Sequence, residues 1–76
     1  MDLTDLKVGQ VASITALEGP PPLRQRLAAL GIRRGQRVEL RSKALLGDPR
    51  AYLIGQQQFC LRNADARHIR IQPQHE

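Results

Sequence analysis

Glycine and proline recur along this 76-residue chain at short intervals, and their spacing limits the fold more than any other feature. Gly9, Gly19, Gly35 and Gly55 each separate two segments, and three prolines at positions 20–22 follow the first long one. Proline cannot donate a hydrogen bond to a β-ladder, and glycine is favoured where the chain must turn. The sequence therefore predicts short strands joined by turns, with room for one short helix.

Alternation of apolar and polar residues predicts a mainly β protein with about five strands. On the second strand, for example, Val38 and Leu40 share the inner face between charged neighbours. A chain this small cannot cover exposed sheet edges with other layers, so the pattern favours a small antiparallel β-barrel. The predicted strands are Val11–Leu17, Gln36–Ser42, Arg50–Ile54, Gln57–Leu61 and Ile69–Ile71.

One short α-helix is predicted after the first strand, at about residues 22–30. Leu23, Leu27 and Leu30 lie at i, i+4 and i+7 and form one apolar stripe. Pro22 suits the first helical position, and Gly31 suits the left-handed residue that follows a last turn. The residues expected to be structural are Leu23, Leu27, Leu30, Gly31, Gly35, Val38 and Leu40.

Two single turns complete the predicted elements. Thr4 is expected to cap the first turn, which places Leu3 and Leu6 against one end of the core. Asn63 is expected to cap the second turn, over Ala64–Arg67.

Length and composition indicate a single globular domain. We expect one domain over residues 1–72 and a flexible tail over residues 73–76. The apolar runs at 27–30 and 51–54 are far shorter than the roughly 20 residues of a membrane span. The opening MDLTDLK has no apolar region typical of a secretory signal. A cytoplasmic location is therefore expected.

Few residues are candidates for catalysis or metal binding. Cys60 is the single cysteine, and pairing it with His68 leaves no third group to orient a base, so no catalytic residue is expected. Asp65 and His68, at i and i+3, are the one local pair of cation ligands, and Arg67 and Arg70 repel a cation there. We expect no tightly bound cofactor and no metal site within one chain. A divalent metal bound weakly, or shared between chains of an oligomer, stays open, as does self-association.

The net charge of +5 permits binding to nucleic acid, anionic lipid or an acidic protein. Scarce aromatic residues, Tyr52 and Phe59, give little surface for base stacking, so nucleic acid is not expected as a partner. No phosphate-binding glycine motif is present, which argues against a nucleotide-binding enzyme. Arginines on or just after the helix predict one positive patch, interpreted either as a solvated face or as a docking surface for an acidic partner. They are Arg24, Arg26, Arg33, Arg34 and, just beyond, Arg37.

The segment Leu23–Leu40 resembles the central signature of the ferrous iron transport protein A family (FeoA). In that signature a short helix ends in Leu-Gly-Leu/Ile, two residues follow, and then a glycine and a strand. The opening LTDLKVGQVASI, the turn Leu46-Gly47-Asp48-Pro49 and the closing LRNADARHIRI resemble the family in the same order, so the likeness covers about residues 3–72. The three prolines and the many arginines depart from the family pattern.

The resemblance implies an SH3-like barrel and a non-enzymatic cytosolic accessory protein of bacterial ferrous iron uptake. It implies as partner the membrane ferrous iron transport protein B, whose cytosolic part is a GTPase, with recruitment to the inner face of the cytoplasmic membrane. Two alternatives remain, a basic SH3-like nucleic-acid-binding module and a metal-sensing domain like the C-terminal module of iron-dependent repressors. If the arginine patch is not the docking surface, the hairpin around Leu45, Leu46 and Asp48 is the second candidate.

Overall fold

A computed structural model describes residues 1–74 and gives a five-stranded protein with two α-helices and a short N-terminal 3-10 turn, Leu3–Asp5. Strands β1, β3 and β4 have the predicted bounds, whereas β2 and α1 are each displaced by one residue. The strands are β1 Val11–Leu17, β2 Arg37–Lys43, β3 Arg50–Ile54, β4 Gln57–Leu61 and β5 Ile69–Pro73. The helices are α1 Pro21–Ala29, between β1 and β2, and α2 Asn63–Ala66, between β4 and β5.

The strands pair antiparallel in the order β4-β3-β2-β1-β5. The register changes in the β1–β5 and β2–β3 ladders, where irregularities of this kind bend strands and increase the sheet's twist. Within residues 1–74, β4 and β5 do not pair with each other, so the predicted closure by strand pairing is absent. The N-terminus instead covers part of β5, because the Ile71 N–H donates to the Met1 carbonyl at 3.0 Å.

One hydrophobic core lies between the sheet, α1 and the N-terminal turn. Leu3 and Leu6 are buried at one end, as predicted, and Val38 and Leu40 are fully buried on β2. The Tyr52 hydroxyl donates to the Leu3 carbonyl at 3.3 Å and so links β3 to the N-terminal turn. The described residues contain no helix with the length and apolar character that crossing a bilayer requires.

Leu30 is an exception to the predicted apolar stripe. Its side chain is 48% exposed, whereas Leu23 and Leu27 are buried. Helix α1 ends at Ala29, and Gly31 follows with φ of 86°, the left-handed conformation predicted for it. This turn directs Ile32 into the core, where it is fully buried. The expectation that Leu30 shares one buried stripe with Leu23 and Leu27 was therefore wrong. As the C-cap residue Leu30 keeps right-handed helical dihedral angles, but it lies at the end of the helix, where its side chain is only half covered.

The caps of both short elements also differ from prediction. Asp2, not Thr4, caps the N-terminal turn, because its carboxylate accepts the Thr4 N–H at 2.8 Å. Asn63 is the first residue of α2 and makes no cap hydrogen bond with it. Its side-chain amide instead donates to the Gly47 carbonyl at 3.1 Å, which ties α2 to the β2–β3 hairpin.

Strand β5 continues two residues beyond its predicted end. It includes Pro73, and the Gln74 N–H donates to the Val11 carbonyl at 3.1 Å. The Gln74 side chain also donates to the Ser13 hydroxyl at 2.7 Å. The start of the predicted tail at residue 73 is thus paired with β1, while residues 75 and 76 of that tail lie outside the described residues.

Candidate partner-binding surface

Four of the arginines singled out in the sequence lie exposed around the C-terminal half of α1 and the loop that follows. Arg24 and Arg26 project from the helix between the buried Leu23 and Leu27, because residues one position from an apolar stripe point away from the core. Arg33 and Arg34 lie in the loop at residues 31–35. We call Arg24, Arg26, Arg33 and Arg34 the arginine patch.

The positive charge of the patch is concentrated on three of its members. The Arg26 guanidinium lies 3.1 Å from the Asp65 carboxylate of α2, and this pair partly neutralises it. Arg24, Arg33 and Arg34 form no ion pair within residues 1–74. Arg33 and Arg34 follow the C-terminal end of α1, where the helix dipole is negative. These three arginines are therefore the cations most available to a partner.

Beside the patch lies a groove that the sequence did not predict. It has a volume of about 300 Å³ and lies between the end of α1 and the turn that joins β3 to β4. The half-exposed Leu30 and the partly buried Phe59 give it an apolar wall. Leu30, Gly31, Gln36, Gly55, Gln57 and Phe59 line it. The available signal was the uncharged run 51–61, which is conspicuous in a chain with 25% charged residues.

Gln36 fixes the patch and the groove relative to each other. Its side-chain oxygen accepts the Arg33 N–H at 2.8 Å, and its side-chain nitrogen donates to the Gly31 carbonyl at 2.9 Å. The Gly35 N–H donates to the Ile14 carbonyl at 2.7 Å, which anchors the same loop to β1. A loop that is ordered before binding loses less conformational entropy when a partner docks. The arginines are thus presented on a pre-formed surface.

Asp65 and His68, the predicted pair of cation ligands, each have other contacts in the structure. The Asp65 carboxylate is engaged by Arg26, and the His68 ring packs so closely under Gly19 that a Cβ there would lie 2.9 Å from His68 Cγ. Within residues 1–74 no group of three or more His, Cys, Asp or Glu side chains is arranged to hold a metal ion. A cation at Asp65 would have to compete with the Arg26 guanidinium.

The second candidate surface lies at the opposite end of the sheet from the groove. Leu45 and Leu46 at the tip of the β2–β3 hairpin are 100% and 93% exposed. Asp48 is exposed, and its carboxylate accepts the Asn63 N–H at 2.9 Å. The hairpin joins β3 at Arg50, whereas the groove begins at Ile54, the other end of that strand. The structure therefore separates the hairpin tip from the arginine patch.

The remaining candidates for chemistry are isolated. Cys60 is exposed on β4, where its side chain points away from the core face that holds Leu61. Tyr52 is fully buried, and Phe59 and His68 are the partly exposed rings of residues 1–74. A base-stacking surface needs two or three rings on one face.

Comparisons with known proteins find solved structures of the same fold. The FeoA protein of Chlorobium tepidum is 32% identical and superposes with a TM-score of 0.88 over 96% of this chain and 70% of that one. Iron(II) transport protein A of Clostridium thermocellum is 33% identical, with a TM-score of 0.89 over 96% of this chain and 45% of that one. Stenotrophomonas maltophilia FeoA in complex with zinc, described as an SH3 domain protein, is 26% identical. Its TM-score is 0.75 over 95% of this chain and 89% of that one.

The family assignment rests on sequence as well as on shape. A comparison with curated proteins gives no significant match. The sequence model of the FeoA domain, however, matches residues 1–73, nearly the whole chain. The structural relatives confirm the expected SH3-like fold. On this sequence match and these structural similarities together, the chain belongs to the FeoA family.

Proposed function

We propose that this chain is a non-enzymatic accessory protein of bacterial ferrous iron uptake. In this proposal it acts in the cytoplasm and docks through the arginine patch on the cytosolic GTPase region of the membrane ferrous iron transporter, ferrous iron transport protein B. Family membership supports the link to iron transport, since a relative is itself named an iron(II) transport protein. The docking surface is argued from this chain's own residues.

One observation carries the assignment of the surface. Arg33 and Arg34, which have no ion-pair partner in residues 1–74, lie in the loop after Gly31, beside a groove whose wall includes the half-exposed Leu30. Protein interfaces combine an apolar centre with a polar rim, and arginine is enriched in them. The groove supplies the first and the patch the second. The expected counterpart is an acidic surface with one apolar side chain that enters the groove.

The two parts of the surface have different roles in binding. Exposed arginines steer an acidic partner and raise the association rate, an effect that salt screens. The apolar contact at Leu30 has no such dependence and acts mainly on the lifetime of the complex. Substitutions in the patch should therefore change the association rate, and substitutions at Leu30 the dissociation rate.

A titration of the purified chain with the transporter's cytosolic domain tests the proposal. We compare the wild type with Arg33→Glu/Arg34→Glu, and with the control Lys7→Glu/Arg62→Glu. Both double variants change the net charge equally, and all four side chains are exposed. The patch variant is expected to weaken binding by about tenfold or more at low salt, in line with charge reversal at a complementary interface. The control should bind like the wild type, and equal losses in both would contradict the assignment.

A second pair of variants tests the groove. Leu30→Ser should shorten the lifetime of the complex while leaving the association rate nearly unchanged. Val8→Ser is the matched control, since Val8 is 59% exposed in the loop before β1. Neither change removes a buried side chain, so thermal stability should be preserved. Identical dissociation rates for the two variants would exclude the groove from the interface.

A further inference from the structure

The tip of the β2–β3 hairpin bears two adjacent leucines whose side chains are almost fully exposed. Leu45 is 100% exposed and Leu46 is 93% exposed, and Ala44 before them is also exposed. A single exposed leucine is ordinary, but two at the end of a projecting turn form a continuous apolar point. The family assignment and the arginine patch leave this feature unexplained.

Hydrogen bonds within the protein hold the base of the tip in place. The Gly47 N–H donates to the Ala44 carbonyl at 2.8 Å, and the Ala44 N–H donates to the Pro49 carbonyl at 3.0 Å. The Gly47 carbonyl accepts from the Arg50 Nε at 2.9 Å and from the Asn63 amide at 3.1 Å. The turn is therefore braced from both β3 and α2. The backbone groups of Leu45 and Leu46 make no backbone hydrogen bond within residues 1–74, so they need the hydrated headgroup layer rather than the hydrocarbon around them.

Cations lie just behind the leucines. Arg41 and Lys43 are exposed on the last residues of β2. The Arg41 guanidinium lies 3.8 Å from the Glu39 carboxylate, whereas Lys43 forms no ion pair within residues 1–74. Asp48 is the one acidic residue between positions 41 and 50, and its carboxylate accepts the Asn63 N–H. An apolar tip with cations behind it matches the layering of an anionic bilayer, whose phosphates lie above its hydrocarbon.

We propose that the β2–β3 hairpin is a membrane-contact site. Leu45 and Leu46 enter the headgroup region of an anionic bilayer, and Lys43 and Arg41 lie against the lipid phosphates. A projecting tip fits a deformable lipid surface without a pre-formed pocket. The groove lies at the other end of β3, four residues or about 13 Å away. The hairpin can therefore touch a membrane while the arginine patch remains free, and the inference does not depend on the proposed docking partner.

The test uses the chain alone with lipid vesicles. Because the protein has no tryptophan, Leu46→Trp introduces a single fluorophore at the tip. Its emission should shift to the blue with vesicles of phosphatidylglycerol and phosphatidylcholine, and brominated lipids should quench it. Leu30→Trp, which places the same probe in the groove, should show neither effect. Absence of both effects for Leu46→Trp, or equal effects for the two variants, would overturn the proposal.

Tryptophan can itself promote binding to vesicles, so co-sedimentation with vesicles is also measured for proteins that lack it. Leu45→Ser/Leu46→Ser should reduce partitioning onto anionic vesicles by at least about tenfold, because two apolar side chains are lost. Lys43→Glu should reduce it by about fivefold, and high salt should remove that difference. Leu30→Ser should bind like the wild type. If the serine variant instead loses affinity for the transporter's cytosolic domain while the wild type ignores vesicles, the hairpin is a protein contact and the inference fails.

Discussion

The Arg26 guanidinium of α1 lies 3.1 Å from the Asp65 carboxylate of α2, across 39 residues of sequence. This pair links the two helices at the edge of the arginine patch. It also occupies the carboxylate that the sequence had suggested as half of a cation site. The Arg26–Asp65 contact therefore affects both the charge of the arginine patch and the availability of Asp65 to a cation.

The Arg26–Asp65 pair is expected to contribute little to stability. The two side chains are 61% and 33% exposed, and exposed ion pairs supply at most about 1 kcal/mol. A double-mutant cycle with Arg26→Ala and Asp65→Ala, measured by urea unfolding, should give a coupling energy below that value. The coupling should shrink as salt rises. A coupling of several kcal/mol would show that the pair holds the helices together.

Ferrous iron is expected to bind the monomer with a Kd above about 1 μM, which corresponds to a binding free energy weaker than roughly 8 kcal/mol. The physical reason is that Arg26 competes for Asp65 and that three convergent ligands are lacking within residues 1–74. Calorimetry under anaerobic conditions measures this affinity. Arg26→Ala should strengthen any weak binding, and His68→Ala should abolish it. A tight one-to-one site in the wild type would contradict the account.

Gly19 and Gly31 should respond differently to the same substitution. Both have positive φ, 92° and 86°, so any side chain is strained there. A Cβ on Gly31 would meet no atom within 4 Å, whereas one on Gly19 would lie 2.9 Å from His68 Cγ. Gly31→Ala should therefore cost about 1–2 kcal/mol of backbone strain, and Gly19→Ala distinctly more. Gly31→Val should lower the unfolding free energy more than Gly31→Ala does, because a β-branched residue tolerates this conformation least.

Chemical denaturation of the three glycine variants gives the comparison. Equal losses of unfolding free energy for Gly19→Ala and Gly31→Ala would mean that the His68 ring moves aside freely. A variant Gly31→Val as stable as the wild type would remove the claim that residue 31 must be left-handed.

Tyr52 should make stability depend on alkaline pH. Burial raises the pKa of its hydroxyl above the usual value of 10.0, and the Arg50 guanidinium partly opposes this. Between the unfolded and folded pKa values the unfolded chain releases the proton first, so stability falls as pH rises through that window. Tyr52→Phe should lack this component and should lose at most about 1 kcal/mol near neutral pH, from the hydrogen bond to Leu3. Parallel pH profiles above about pH 10 for the two proteins would refute this.

Much of the fold follows from local sequence signals. The glycine after the helix predicted a left-handed residue at position 31. The alternation of apolar and polar residues predicted the bounds of β1, β3 and β4. These signals act within a few residues, so they can be read without knowing what packs on them. The positions of Leu3 and Leu6 at one end of the core follow in the same way.

The wrong predictions concern residues whose positions depend on contacts with distant parts of the chain. Leu30 fits the helical spacing, but its side chain is only half covered at the helix end, and Ile32 after the turn enters the core instead. Asn63 has the chemistry of a cap, yet its amide is held by the Gly47 carbonyl, 16 residues away. The groove was missed for the same reason, because its walls come from α1, β3 and β4 together. The arginine patch was visible in the sequence, whereas the pairing of Arg26 with Asp65 was not.

The central claim is that the arginine patch and its groove form the docking surface. Nuclear magnetic resonance of the isotope-labelled chain, titrated with the transporter's unlabelled cytosolic domain, tests it most directly. The account predicts that amide signals shift at residues 30–36 and 55–59, and that Arg33→Glu/Arg34→Glu suppresses these shifts. Shifts confined to the hairpin at residues 44–49, or a full set of shifts in the double variant, would contradict it.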